Sequence, residues 1–216
     1  SLFVVEYVAV VCLLFKGERI MKRTAMSLLV IMMIFMLSGC GNGGGGAETN
    51  QKPGESEGTQ YTQALDVLNE IRQAYEEEDL FSIYGGDQEN AVMDAPGKFD
   101  ISKTEELGIT LGLPEDLWDD IDDAASMVHM MNANTFTGAV YHLKDGTDIN
   151  DFADAVKSNI MGMQWICGQP DTLIIMEVKG NYVITAYGNA EIIETFKNNA
   201  LSALEDSQTV VEAPIS

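Results

Sequence analysis

Residues 125–143, ASMVHMMNANTFTGAVYHL, hold the reading that decides the fold. Residues 125–131 and 135–143 are runs rich in apolar and β-forming side chains. The Asn132-Ala133-Asn134 segment between them suits a turn, because asparagine tolerates turn backbone. Together they read as a β-hairpin. Asp145-Gly146 then breaks the chain, and Thr147 or Asp148 can cap a helix running to about Trp165. The apolar face of that helix is Ile149, Phe152, Ala153, Val156, Ile160 and Met163. Residues 173–178 and 182–187 read as two further strands, joined through Gly180-Asn181, a two-residue hairpin signal. Gly188 and Asn189 start a last helix, with Ile193, Phe196, Ala200 and Leu204 on one side. The order β-β-α-β-β-α predicts an α+β two-layer sandwich: a mostly antiparallel, four-stranded sheet with helices on one face.

Upstream, Tyr61, Leu65, Leu68, Ile71 and Tyr75 recur at helical spacing and predict a helix over 62–79 that precedes the sheet. Its acidic end, Glu76-Glu77-Glu78-Asp79, opposes the helix dipole, so fraying is expected there. Residues 84–114 read as irregular, broken by Gly85-Gly86, Pro96-Gly97 and Pro114. A short helix can begin at Pro114. These boundaries give one globular domain over 60–208, followed by a tail over 209–216.

The first sixty residues have a different character. Met21, Lys22 and Arg23 form a positive start. An uncharged apolar run from Ala25 to Met36 follows, and it ends in Leu37-Ser38-Gly39-Cys40. A positive segment, a short apolar core and small residues describe a secretory signal over 21–39. The final four residues resemble the bacterial lipobox. That resemblance implies cleavage between Gly39 and Cys40 and a diacylglyceryl group on the Cys40 thiol. Two acyl chains hold a protein firmly at a bilayer, where one binds only marginally. Residues 40–59 are glycine-rich and polar, too poor in apolar side chains to bury anything, and read as a flexible tether. Its reach is roughly 25 Å. Translation is expected to start at Met21, which leaves 1–20 as an upstream extension; a membrane helix at 2–15 is the alternative.

The chain carries 12 basic and 34 acidic residues, a net charge of −22. Removing 1–40 takes away Lys16, Arg19, Lys22 and Arg23 with Glu6 and Glu18, leaving 8 basic and 32 acidic residues, or −24. Such a body is repelled by phosphate backbones, so no nucleic-acid partner is expected. With Cys40 lipidated and Cys12 removed, Cys167 alone remains, so no intrachain disulfide is expected and the core must stabilise the fold. Cys167 reads as a small buried hydrophobe.

Candidate chemistry is sparse. Asp119, Asp120, Asp122 and Asp123, close to Asp116, form the densest carboxylate group, and oxygen-rich clusters are what Ca²⁺ takes. The EF-hand spacing is missing, so these residues are weak metal candidates. They read better as a solvated acidic face with Trp118 and Ile121 turned inward. His129 and His142 lie on neighbouring strands of the first hairpin, but zinc wants at least three protein ligands and no third has recognisable spacing. The serines lack a glycine-flanked elbow. The glycine tract at 43–46 lacks the lysine of a phosphate loop. Tyr141, Trp165, Tyr182 and Tyr187 could line a ligand surface, although packing explains them equally well. The methionines at 127, 130, 131, 161, 163 and 176 read as core fillers. No catalytic residue and no cofactor is implied.

The stretch 126–203 resembles a family of clostridial-type lipoproteins whose shared domain has no assigned function. The features that carry it are Ala139-Val140-Tyr141 followed by Lys144-Asp145-Gly146 and a helix, then Gln164, then Gly180-Asn181-Tyr182-Val183 opening a strand. The resemblance implies an exported, lipid-anchored protein with an α+β body and brings no catalytic residues. The expected function is a non-catalytic module on the outer face of the cell membrane, held there by its lipid anchor and binding a protein or small ligand. The alternatives are a cell-envelope hydrolase using carboxylates that no motif singles out, and a small substrate-binding accessory lipoprotein.

Overall fold

The computed structural model describes residues 61–166 and 168–215. The signal segment, Gly39 and Cys40, the tether, residues 1–20 and Cys167 lie outside the described residues. The described part is α+β. Its antiparallel sheet has eight strands: β1 (Ile83–Gly85), β2 (Val92–Met93), β3 (Gly97–Lys98), β4 (Ile121–His129), β5 (Phe136–Leu143), β6 (Thr172–Val178), β7 (Tyr182–Gly188) and β8 (Gln208–Pro214). The α-helices are α1 (Ala64–Gln73), α2 (Thr104–Leu111), α3 (Ile149–Gly162) and α4 (Ala190–Ala203). Strand order is β2-β1-β4-β5-β7-β6-β8, with β3 pairing β4.

The four strands legible in the sequence are the contiguous middle of this sheet, β4-β5-β7-β6. The β5–β7 and β6–β7 registers run without interruption, from Phe136↔Gly188 to His142↔Tyr182 and from Thr172↔Gly188 to Val178↔Tyr182. Gly180-Asn181 makes the second hairpin turn, with both residues at positive φ. Asp148 caps α3 by accepting from the N–H groups of Asn150 and Asp151, and Asn189 caps α4 by accepting from that of Glu191.

Three expectations need correction. The sheet has eight strands rather than four. β1, β2 and β3 arise from 83–98, where Gly85 and Gly97 let two backbones nearly touch: a Cβ on Gly85 would sit 2.0 Å from the Gly97 nitrogen. The supposed tail is β8, which pairs antiparallel with β6 from Gln208↔Glu177 to Pro214↔Thr172. The helices also cover both faces of the sheet instead of one.

The physical reason for the last correction is in the strands. Leu173, Ile174, Ile175 and Met176 are all fully buried, as are Val183 and Ile184, so neither face of β6 or β7 can be left to water. On one face Val140, Ile174, Met176 and Ile184 pack with Val67, Leu68 and Ile71 of α1 and with Ile193, Phe196 and Ala200 of α4. On the other, Tyr141, Leu173, Ile175 and Val183 pack with Leu107 and Leu111 of α2 and Phe152, Val156 and Ile160 of α3. The anticipated helix over 62–79 is shorter: α1 ends at Gln73 and a 3₁₀ turn covers Glu77–Asp79, consistent with fraying at the acidic end.

β8 also brings Ile215 into the second cluster at 7% exposure. Burying one such side chain contributes about 1.5–3 kcal/mol. A chain truncated after Ser207 is therefore expected to lose at least about 2 kcal/mol in urea unfolding. A dispensable tail would leave the midpoint where it was.

Candidate functional site

The acidic segment sits where β4 begins. A bulge between Ile121 and Asp123, which pair with Leu143 and His142, leaves Asp122 as the extra residue. Such a bulge re-aims a side chain. Asp122 meets the His142 Nδ1 at 2.5 Å, and the His142 ring lies 4.7 Å from that of Tyr182. Asp123 engages different partners. Its Oδ2 accepts from the Ala64 N–H at 2.7 Å, and its Oδ1 lies 3.2 Å from the Lys98 ammonium. α1 has no side-chain cap from its own N-cap residue, Gln63; the carboxylate of Asp123, 59 residues away, serves instead.

Asp119 and Asp120 act through their backbones. The Asp119 carbonyl accepts from the Lys144 ammonium at 2.6 Å and the Asp120 carbonyl from the Lys144 N–H at 2.8 Å. Ile121 is buried as expected, and the Trp118 indole N–H donates to the Leu113 carbonyl at 3.2 Å. Asp116 is not drawn into this arrangement by any recorded bond. Among the described residues no group of three or more acidic, histidine or cysteine side chains is placed to hold a metal ion.

His129 and His142 occupy opposite ends of the hairpin. Val128 pairs with Thr137, and His142 lies five residues beyond it, opposite Asp123. The two imidazoles are therefore about 20 Å apart at ~3.3 Å per residue, too far to share a metal. His129 Nδ1 accepts from the N–H groups of Met131 and Asn132, and its ring stacks on Phe81 at 5.7 Å. Tyr141, Tyr182 and Tyr187 are buried at 0, 4 and 3% exposure and belong to the core rather than to a ligand surface. Burial pushes the Tyr187 hydroxyl up to about 12, and it donates to the Thr110 carbonyl at 3.3 Å. Of the methionines read as core fillers, Met127 and Met176 are fully buried, whereas Met131 is 83% exposed.

Asp87 is the acid that motif reading missed. It is 1% exposed and lines a groove of about 530 Å³, together with Asn90, Lys98, Asp100, Asp122 and Asp123. Its oxygens accept from the Lys103 ammonium at 2.7 Å, from the Asn90 amide, and from the N–H groups of Glu89, Asn90 and Asp100. Burial pushes this carboxyl up, but the bonds from Lys103, Asn90 and the backbone outweigh it and hold it well below the usual carboxylate range. Lys103 also pairs with Glu89 at 2.9 Å, and its own pKa is raised by those two carboxylates. The Asp87-Gln88-Glu89-Asn90 run resembles ordinary turn residues, so no local pattern gives away that its first acid is buried.

The groove can attract cations, but its buried acid is fully partnered. Asp122 and Asp123 hold a histidine, a lysine and a helix N-terminus. His142 bonds to a carboxylate and His129 to backbone N–H groups, rather than to a hydroxyl that a base could activate. Comparison with protein-family models, curated proteins and solved structures finds no match to this chain.

Asp87→Asn is expected to cost about 2–3 kcal/mol, because it removes the buried charge that Lys103 pairs with and weakens a buried network. The sign with pH follows from the lowered pKa: the wild-type contribution is complete above the unfolded carboxyl value of about 4 and fades as pH falls below it. Chemical unfolding between pH 2 and 7 should show a shallower acid limb in the variant. Asp123→Ala removes the remote cap on α1 and should cost about 1 kcal/mol with no change in pH 7 ligand-free secondary structure beyond that helix. Circular dichroism and a urea titration check both parts.

Proposed function

We propose that the chain is an exported lipoprotein, anchored on the extracytoplasmic face of the membrane through Cys40, whose folded body binds a partner rather than performing catalysis. The observation that carries the anchoring is the ordered run Lys22-Arg23, apolar core, Leu37-Ser38-Gly39-Cys40. Each part meets a separate requirement of export and lipidation. No described helix is long and apolar enough to cross a membrane, so lipid on Cys40 would supply attachment that the folded body does not.

The binding role is favoured by how the body's polar groups are used. Of the candidate carboxylates, Asp122 is engaged by His142 at a bulge and Asp123 by a helix N-terminus and Lys98, while the concavities at the surface are open rather than enclosed. A catalytic site would need a nucleophile, base and oriented acid within hydrogen-bond reach. The resemblance of 126–203 to clostridial-type lipoproteins supports the same reading. Within it, β4-β5-α3-β6-β7-α4 would be the family's core, to which α1, 83–98 and β8 are additions.

Cys40→Ser tests the anchoring. Cells expressing the wild type should incorporate labelled palmitate into a membrane-bound band starting at Cys40, and the variant should lose both label and membrane association. Label persisting in the variant, or an unmodified Cys40 still joined to Gly39 in the wild type, would overturn it.

A further inference from the structure

Backbone N–H groups only donate, so whatever they bond to must offer a lone pair. At the end of β4 the N–H groups of Met131 and Asn132 both donate to the His129 Nδ1, at 3.2 and 3.3 Å. That nitrogen therefore carries no proton, and the imidazole is neutral with its hydrogen on Nε2. The half-buried ring stacks on Phe81 at 5.7 Å. The loop beyond it is built from this start. The Asn132 carbonyl accepts from the Thr135 N–H and its side-chain oxygen from that of Asn134, whose own amide donates to the Gly168 carbonyl. Asn132 and Asn134 line a cleft of about 270 Å³, together with Gln169 and Asp171 among others.

We infer that His129 is a proton-operated latch: neutral, it fastens residues 131–134 to the end of β4, and as a cation it releases them and reshapes the cleft they line. Histidine ordinarily exchanges a proton between about pH 5 and 8. A proton arriving on Nδ1 would meet two N–H groups already pointing at it. The loop then retreats or the ring turns over, and either way both groups lose their acceptor. The segment that gives way is bounded by bonds that do not involve the imidazole: the Met130 N–H donates to the Ser82 carbonyl, and the Thr135 carbonyl accepts from the Asn189 N–H. The ionisable groups on the surrounding elements are four acids and the buried Tyr75. Asp79 and Glu191 share a concavity with Phe81, on which Tyr75 packs. The Asp94 N–H bonds to the carbonyl of Ile83, the residue paired with His129, and Asp171 lines the cleft. These carboxylates draw a proton towards the ring, whereas the two N–H groups oppose it there. That the latch meets acid rests on the proposed extracytoplasmic location, where pH follows the surroundings of the cell; the latch itself does not.

The test is amide hydrogen exchange on the full-length chain purified from membranes in detergent, with rates corrected for their intrinsic dependence on pH. Between about pH 7.5 and 5 the protection of the Met131 and Asn132 amides should fall about tenfold or more, as expected for losing their hydrogen bonds, while β5 and β7 stay protected. His129→Asn offers a side-chain oxygen that accepts without titrating and should hold the protection at both pH values. His129→Phe, with no acceptor, should lack it at both. Nitrogen-15 spectra of histidine-labelled protein should show a bare Nδ1 on His129 at the higher pH. A proton on that nitrogen, protection that survives acid in the wild type, protection in His129→Phe, an acid-induced loss of the same size in His129→Asn, or a loss spread equally over β5 and β7 would each overturn the latch. Membrane flotation of the same chain reports on the anchor separately: a floating chain that keeps its loop in acid defeats the latch alone, and one that switches without floating defeats the location alone.

Discussion

Strands that are apolar on both faces cannot rest against water, and most of this structure follows from that constraint. β6 and β7 carry consecutive buried side chains, so the sheet requires cover above and below. α1 and α4 supply it on one side, α2 and α3 on the other. An antiparallel sheet more often leaves one face solvated. Here the doubly apolar centre fixes the layers, and the layers leave only the sheet ends and loop tips free for polar chemistry. Candidate sites therefore gather at the two ends of the strands.

The central hairpins and their helices were legible because each carries its own local signal. Asn181 can take the positive φ that its turn demands, Asp148 and Asn189 cap helices two residues ahead, and Ile193, Phe196 and Ala200 mark a helical stripe. What was not legible depends on distant partners. Val92-Met93 and Gly97-Lys98 are two-residue strands whose existence comes from pairing with β1 and β4. β8 reads as a tail until β6 is beside it. The helices' placement on both faces was foreshadowed by Leu173-Ile174-Ile175-Met176, since four successive buried residues fit no half-solvated strand.

The same distinction runs through the acidic residues. Charge density in the sequence drew the eye to Asp119, Asp120, Asp122 and Asp123, and the structure assigns them architectural work. Asp122 fills a bulge and meets His142, Asp123 caps a helix from across the sheet, and the backbones beside them clasp Lys144. Asp87 stands in an unremarkable turn and is nevertheless the buried acid, because Lys103 and four donor groups nearby make ionisation favourable there. Sequence density marks where charge is plentiful; burial and partners decide what each charge does.

The bond from Ala64 to Asp123 also has a mechanical side. Tension applied ahead of Tyr61 would enter the body at the first turn of α1, where one carboxylate and the Tyr61–Tyr182 ring contact join the incoming chain to the sheet. A helix loaded from its end can unwind turn by turn, whereas the long registers of β5, β7 and β6 would have to part many hydrogen bonds together. Load would thus reach α1 before the sheet, and drawing Val67, Leu68 and Ile71 out of the core would be its first cost.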